Sequence, residues 1–126
     1  MTKIGCALAL VVALSTAALA QHKHGATGPH GGPMEDVAGV HAELVASGTA
    51  LAINIVDEDG KPVKSAGYSA SALIVTGNQR ETVKLEPAGE SALKATLKTP
   101  VAADTQVTLM LKTADGKSGQ ARFKVK

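Results

Sequence analysis

The chain has 126 residues, with 13 Lys and Arg against 11 Asp and Glu, and its only aromatic side chains are Tyr68 and Phe123. A nearly balanced charge, with no aromatic residues among the lysines, argues against nucleic-acid binding, which needs a basic surface and rings that stack on bases. The only cysteine, Cys6, lies in the first apolar run, so the rest of the chain forms neither a disulfide nor a thiolate metal site.

Residues 1–20 have the order of a secretory signal peptide. Lys3 provides a positive start, residues 4–14 are mostly apolar, and small residues follow up to Ala20. This order predicts cleavage after Ala20 and a periplasmic or secreted location. A membrane-spanning helix needs about 20 strongly apolar residues, and this segment reaches that length only by including Ser15 and Thr16. We therefore expect no membrane segment after cleavage.

Residues 21–38 differ from the rest of the chain in composition. They contain glycine and proline at short intervals and three of the four histidines. Such a stretch has no continuous apolar face to bury in a core. It is therefore predicted to be a flexible Gly/His/Pro-rich segment between the signal peptide and the folded domain.

From residue 39 onward, apolar residues alternate with polar ones, as in strands with one buried face. About seven such segments follow, with turns roughly every ten residues and no convincing helix. The turns contain Asp59-Gly60, Gly77-Asn78, Pro87-Ala88-Gly89, residues 100–104 and Asp115-Gly116. The sequence predicts an all-β domain over residues 39–126, a single antiparallel immunoglobulin-like sandwich of about seven strands. A small barrel is the alternative.

The four histidines of the chain are clustered. They are His22, His24, His30 and His41, and residues 42–126 contain none. Imidazole is the commonest side-chain metal ligand and is largely neutral near neutral pH. Glycines around His30 let the backbone bend closely around an ion, whereas His41 lies in a predicted strand. The clustering predicts a metal site with His30 and His41 as principal ligands and His22 and His24 as capture ligands.

Further candidate ligands lie near the two principal histidines. Glu43 follows His41 on the same strand face at about 7 Å, as a ligand or as an acceptor that orients the ring. Met34, Glu35 and Asp36 are other candidates. Nitrogen ligands with a few oxygens favour a divalent transition metal, Cu first and Zn or Ni as alternatives. The simpler explanation is a solubilising linker followed by a solvent-facing strand histidine.

The stretches Gly28-Pro29-His30-Gly31-Gly32 and His41-Ala42-Glu43-Leu44 resemble small exported proteins of bacterial heavy-metal efflux systems. Their pattern is Pro-His-Gly-Gly, a short spacer, His-x-Glu-Leu and then a β-domain. The resemblance implies that His30 and His41 are the residues that matter most. It also implies that the protein supplies metal to an efflux pump or receives metal from it.

A second resemblance is to periplasmic copper-resistance β-sandwich proteins. It rests on Asp115-Gly116 and Phe123-Lys124-Val125 near the end of the chain. Lys117 stands where that family has a histidine, so the family's copper site cannot be transferred. Only the general similarity of fold is implied.

These observations predict an exported metal-binding protein that buffers or hands over Cu, Zn or Ni in heavy-metal homeostasis or efflux. The expected partners are the metal ion and a component of an efflux system. The alternative is an envelope protein–protein interaction module in which the histidines are incidental. An enzyme is not expected, because the sequence indicates neither an orienting acid nor an oxyanion hole for a pair such as Ser69 and His41.

Overall fold

The computed structural model describes residues 26–126, so the predicted signal peptide lies outside the described residues. This range contains nine strands and no helix, which confirms the all-β prediction. The strands are β1 (Ala26–Thr27), β2 (Pro33–Val37), β3 (Val40–Ser47), β4 (Ala50–Val56), β5 (Ser69–Thr76), β6 (Gln79–Ala88), β7 (Ala92–Thr96), β8 (Gln106–Lys112) and β9 (Ser118–Lys124). In residues 26–126 there is accordingly no apolar helix of membrane-spanning length.

All nine strands pair in the order β1-β2-β3-β4-β7-β6-β5-β8-β9, and every pair is antiparallel. The long strand β6 joins the two halves, because its first part pairs with β5 and its last residues pair with β7. The sheet curls into a half-barrel that brings β2 back beside β9. The seven segments predicted as strands lie in β3–β9, and β1 and β2 are additional. A sandwich of about seven strands is not confirmed.

Aliphatic side chains fill the inside of the curl. On β4, Leu51, Ile53 and Ile55 are at most 1% exposed, and alternate positions of β8 and β9 are buried in the same way. Phe123 is buried in this core, and the partly buried Tyr68 packs against it. Burying each large apolar side chain stabilises the fold by about 1.5–3 kcal/mol. Burial of the inner face therefore holds the sheet together.

Ordered β-structure begins earlier than the sequence predicts. Residues 21–38 are predicted to be flexible, whereas the structure places β1 and β2 within them. The β2–β3 turn consists of Ala38 and Gly39 with φ angles of 51° and 83°, as in a tight hairpin turn. Only Val37 of β2 is buried in the core. This strand forms because it pairs with β3, and its sequence has no alternating apolar pattern that would predict it. Residues 21–25 lie outside the described range.

Candidate functional site

Most of the predicted ligands lie on one surface. On the outer side of β2, β3 and β4, the register places Met34 opposite Glu43, Asp36 opposite His41, and Glu43 opposite Asn54. Directly opposed residues of antiparallel strands project from the same face of a sheet. We call the surface formed by these five residues the polar face. Strand pairing alone therefore brings together four of the predicted site residues.

Glu43 is fully buried although it projects away from the core. The loop between β1 and β2, residues 28–32, covers it, and we call this segment the cap loop. The Oε2 atom of Glu43 accepts hydrogen bonds from the backbone N–H groups of His30 at 2.8 Å and of Gly32 at 3.1 Å. The Oε1 atom lies 2.7 Å from Nδ1 of His30. These contacts replace the water that a buried carboxylate loses.

Two glycines let the cap loop lie directly on β3. A Cβ atom at Gly28 would stand 2.3 Å from the Glu43 carboxyl carbon, and one at Gly32 would stand 2.0 Å from the backbone oxygen of Leu44. The loop is also closed on itself, since the Gly28 N–H donates to the Gly32 carbonyl at 2.8 Å. The glycines at positions 28 and 32 therefore allow contact with β3, a role that the sequence does not predict.

The ring of His30 lies between Glu43 and solvent. Its side chain is 59% exposed, and its Nδ1 edge faces the carboxylate. The side-chain nitrogen of Asn54 lies 3.4 Å from the same Nδ1. The contact at Nδ1 leaves Nε2 as the ring nitrogen that the carboxylate does not use.

His41 has a different carboxylate partner. Its Nδ1 hydrogen-bonds to Oδ1 of Asp36, the residue directly opposite on β2. The His41 side chain is 27% exposed and that of Asp36 is 68% exposed. The sequence suggests Glu43 as the group that orients His41, whereas the structure pairs Glu43 with His30. Residues two apart on a strand are about 7 Å apart, but opposed residues on paired strands have Cβ atoms about 5 Å apart.

A cavity of about 440 Å³ borders His30 between the cap loop and the end of β9. Apolar atoms of Phe123 and Val125 form part of its wall, and Lys124 and Lys126 also line it. His30 therefore lies next to open space and not against a tightly packed surface. The space is large enough for several water molecules beside the ring.

The polar face does not assemble a complete metal site. Within residues 26–126, no three side chains of His, Cys, Asp or Glu are grouped so that they could hold a metal ion. His30 and His41 are each held by a separate carboxylate. His22 and His24 lie outside the described residues. An ion bound by His30 or His41 therefore needs further ligands, such as water.

The sequence does not single out Asn54, and it does not indicate that Gly28 and Gly32 contact β3. Asn54 is one polar residue in an alternating strand, and its place opposite Glu43 follows only from the β3–β4 register. Gly28 and Gly32 belong to a stretch rich in glycine. From the sequence, a glycine that permits close contact with β3 looks the same as one that makes the chain flexible. A buried carboxylate within the predicted site is the feature that tertiary structure adds.

Comparison of the chain with protein-family models, with curated proteins and with solved structures found no match. The resemblance to proteins of heavy-metal efflux systems therefore stays a prediction. The functional argument depends on the geometry of the polar face and the cap loop.

Proposed function

We propose that the protein is exported and binds a divalent transition metal, Cu(II) first and Zn(II) or Ni(II) as alternatives. In this proposal it buffers the metal or hands it over in heavy-metal homeostasis or efflux. The observation that supports metal binding is that His30 and His41 each have Nδ1 engaged by a carboxylate. Metal-ligating histidines commonly have such a partner, which fixes the ring and makes the other nitrogen a better ligand.

The openness of the site favours exchange over permanent binding. Structural zinc sites are closed by four protein ligands, whereas His30 is 59% exposed and borders a cavity. A metal held by one or two imidazoles and water has positions that a receiving protein can occupy. This arrangement suits transfer more than catalysis, and we propose no enzymatic activity.

The segment before Ala26 belongs to the same proposal. His22 and His24 precede the cap loop by a few residues, and we retain them as capture ligands that deliver metal to His30. The relation of the half-barrel to immunoglobulin-like sandwiches of periplasmic copper-resistance proteins is likewise proposed. It rests on antiparallel pairing and on the turn that contains Asp115-Gly116.

Calorimetric titration with Cu(II), Zn(II) and Ni(II) tests metal binding. The wild-type protein is compared with His30→Ala/His41→Ala and with His22→Ala/His24→Ala. Losing the imidazoles of His30 in the cap loop and His41 on the polar face is expected to weaken binding at least about tenfold, and losing the two earlier histidines is expected to weaken it less. Equal affinity in wild type and His30→Ala/His41→Ala would rule out these two histidines as the principal ligands.

A second candidate function is an envelope protein–protein interaction module. The observation that favours it is the outer face of β6, β5, β8 and β9, where Leu73, Val75 and the 47% exposed Met110 are surrounded by cations. The cations on this face are Arg80, Lys84, Lys112, Arg122 and Lys124. Apolar residues inside a polar rim are typical of protein interfaces, and this rim would suit an acidic partner.

Charge reversal distinguishes the second candidate from the first. Arg80→Glu/Arg122→Glu is expected to abolish salt-sensitive binding to immobilised polyglutamate, because it reverses two rim charges. His30→Ala/His41→Ala is the matched control and is expected to bind polyglutamate normally. Binding that charge reversal leaves unchanged would contradict an interface on this face.

A further inference from the structure

We infer that Glu43 makes His30 a metal ligand by holding the ring proton on Nδ1, which leaves a lone pair on Nε2. This inference rests on the proposed metal-binding function and deepens it. Glu43 acts as a positioning residue, since His30 itself would contact the metal. The inference concerns a tautomer, so it can be tested with and without metal.

Two backbone groups define which oxygen of Glu43 is available to the ring. The N–H groups of His30 and Gly32 both donate to Oε2, at 2.8 and 3.1 Å. Backbone amides can only donate, so Oε2 acts as an acceptor. The other oxygen, Oε1, lies 2.7 Å from Nδ1 of His30, a distance typical of a charge-assisted hydrogen bond.

The chemistry of the two groups then places the proton. The two N–H groups that donate to Oε2 favour the ionised form of Glu43. An ionised carboxylate has only lone pairs, so the hydrogen in the 2.7 Å bond to Oε1 is carried by Nδ1. The side-chain nitrogen of Asn54 is 3.4 Å from Nδ1, beyond the usual hydrogen-bond range, and does not compete for this position. A neutral imidazole carries a single N–H, and Nε2 is therefore unprotonated. That nitrogen belongs to a ring that is 59% exposed. The lone pair needed for a metal bond is thus held on the accessible side of His30.

Burial makes this arrangement stronger at His30 than at His41. Glu43 is fully buried beneath the cap loop, so water does not compete for its oxygens, and hydrogen bonds are stronger in such a low-dielectric environment. Asp36 is 68% exposed, so water can replace His41 as its partner. His30 is therefore the dominant ligand of the pair.

Glu43→Gln tests the tautomer with little change of shape. The glutamine carbonyl oxygen can still accept from the backbone N–H groups of His30 and Gly32, and its NH₂ group then faces Nδ1. An NH₂ group can only donate, so Nδ1 becomes the acceptor and the ring proton moves to Nε2. The cap loop stays in place while the lone pair on Nε2 is lost. Asp36→Asn makes the same chemical change at the exposed pair with His41, and it serves as the comparison between a buried and an exposed carboxylate.

Long-range proton–nitrogen NMR of the full-length protein reports which ring nitrogen carries the proton, and Cu(II) titration reports affinity. We expect Nδ1–H on His30 in wild type and Nε2–H in Glu43→Gln, with Cu(II) affinity reduced about 10–100-fold. Asp36→Asn is expected to leave the His30 tautomer unchanged and to reduce affinity less than about threefold.

Each outcome decides a separate question. An Nε2–H tautomer on His30 in wild type overturns the inference, and this spectrum is decisive even if Glu43→Gln does not fold. Wild-type affinity in a folded Glu43→Gln protein with Nε2–H also overturns it. Wild type that has Nδ1–H on His30 but binds no Cu(II), Zn(II) or Ni(II) contradicts the proposed metal binding and, with it, the role of Glu43, while the tautomer assignment stands.

Discussion

Two histidine–carboxylate pairs lie on the same face of this protein and differ in how the carboxylate is held. Glu43 is buried and accepts from two backbone N–H groups besides its contact with His30. Asp36 is 68% exposed and meets His41 across a strand pair. The same two chemical groups therefore form a buried contact in the Glu43–His30 pair and a surface contact in the Asp36–His41 pair. The comparison teaches that the two pairs differ in the burial of the carboxylate and not in its presence: water is kept from Glu43 and can compete for Asp36.

The largest expected effect comes from removing the buried carboxylate. Glu43→Ala is expected to lower the free energy of unfolding by about 3 kcal/mol, because it breaks a buried polar cluster and leaves a cavity. Urea denaturation measures the change. Hydrogen exchange at the backbone N–H groups of His30 and Gly32 is expected to rise together with it.

Asp36→Ala is the control for this comparison, with an expected loss of at most about 0.5 kcal/mol at an exposed pair. Equal losses in Glu43→Ala and Asp36→Ala would show that burial of the carboxylate does not distinguish the two pairs.

A second variant tests the contact between the cap loop and β3 without replacing either carboxylate residue. Gly32→Ala places a methyl group where the Leu44 carbonyl stands, and is expected to cost about 2 kcal/mol. Thermal unfolding checks this. Gly31→Ala is the matched control, since a Cβ there meets nothing within 4 Å and only the φ of +84° is strained, which costs about 1 kcal/mol. A smaller loss in Gly32→Ala than in Gly31→Ala would contradict the close contact.

A gain in stability is expected at the end of the polar face where the exposed pair lies. Ala38 has a φ of 51° in the β2–β3 turn, a conformation that glycine adopts without steric cost. Ala38→Gly is expected to raise the free energy of unfolding by about 0.5 kcal/mol, the relief of strain less the added entropy of the unfolded chain. Chemical denaturation measures it. A lower free energy of unfolding in Ala38→Gly would contradict backbone strain at Ala38. A change of the His30 tautomer in this variant would show that the effect is not confined to the β2–β3 turn.

The smallest effect concerns a third carboxylate, in the β8–β9 turn. The Thr113 hydroxyl donates to Asp115, and this bond lowers the pKa of Asp115, against a smaller opposing effect of desolvation. A group with a lowered pKa stabilises the fold above its ordinary value near 4, and that contribution is lost as the pH falls through the lowered pKa. Asp115→Asn is expected to remove a slight acid dependence of unfolding below about pH 4. A pH profile identical to that of wild type would contradict this contribution.

Much of the fold can be predicted because alternation reports burial directly. In β4 and β8, apolar residues occupy every second position. Ile53 and Leu109 are examples, and both lie in the core with 0% exposure. Turn residues such as Gly60 and Gly116 have positive φ angles of 78° and 91°, which only glycine adopts readily. Fold class and the positions of β3–β9 therefore follow from local patterns.

The candidate site was only partly accessible to the same reasoning. His30, His41 and Glu43 stand out by residue type and spacing, but spacing along one strand suggests the pair Glu43 and His41. The observed pairs depend on neighbours from other segments: the cap loop supplies His30, and β2 supplies Asp36. Register between strands is a property of the assembled sheet. Local pattern therefore identifies the residues of the site and not their partners.

The sequence by itself determined the all-β class, the aliphatic core, the turns and the clustering of histidines, because each depends on residue type and short-range order. Tertiary structure alone decided that residues 26–37 form β1, the cap loop and β2. It also decided that the sheet curls and that Glu43 is buried under His30. The physical reason is that these features require hydrogen bonds and close contacts between segments distant in the chain, and no local pattern of apolar and polar residues specifies such contacts.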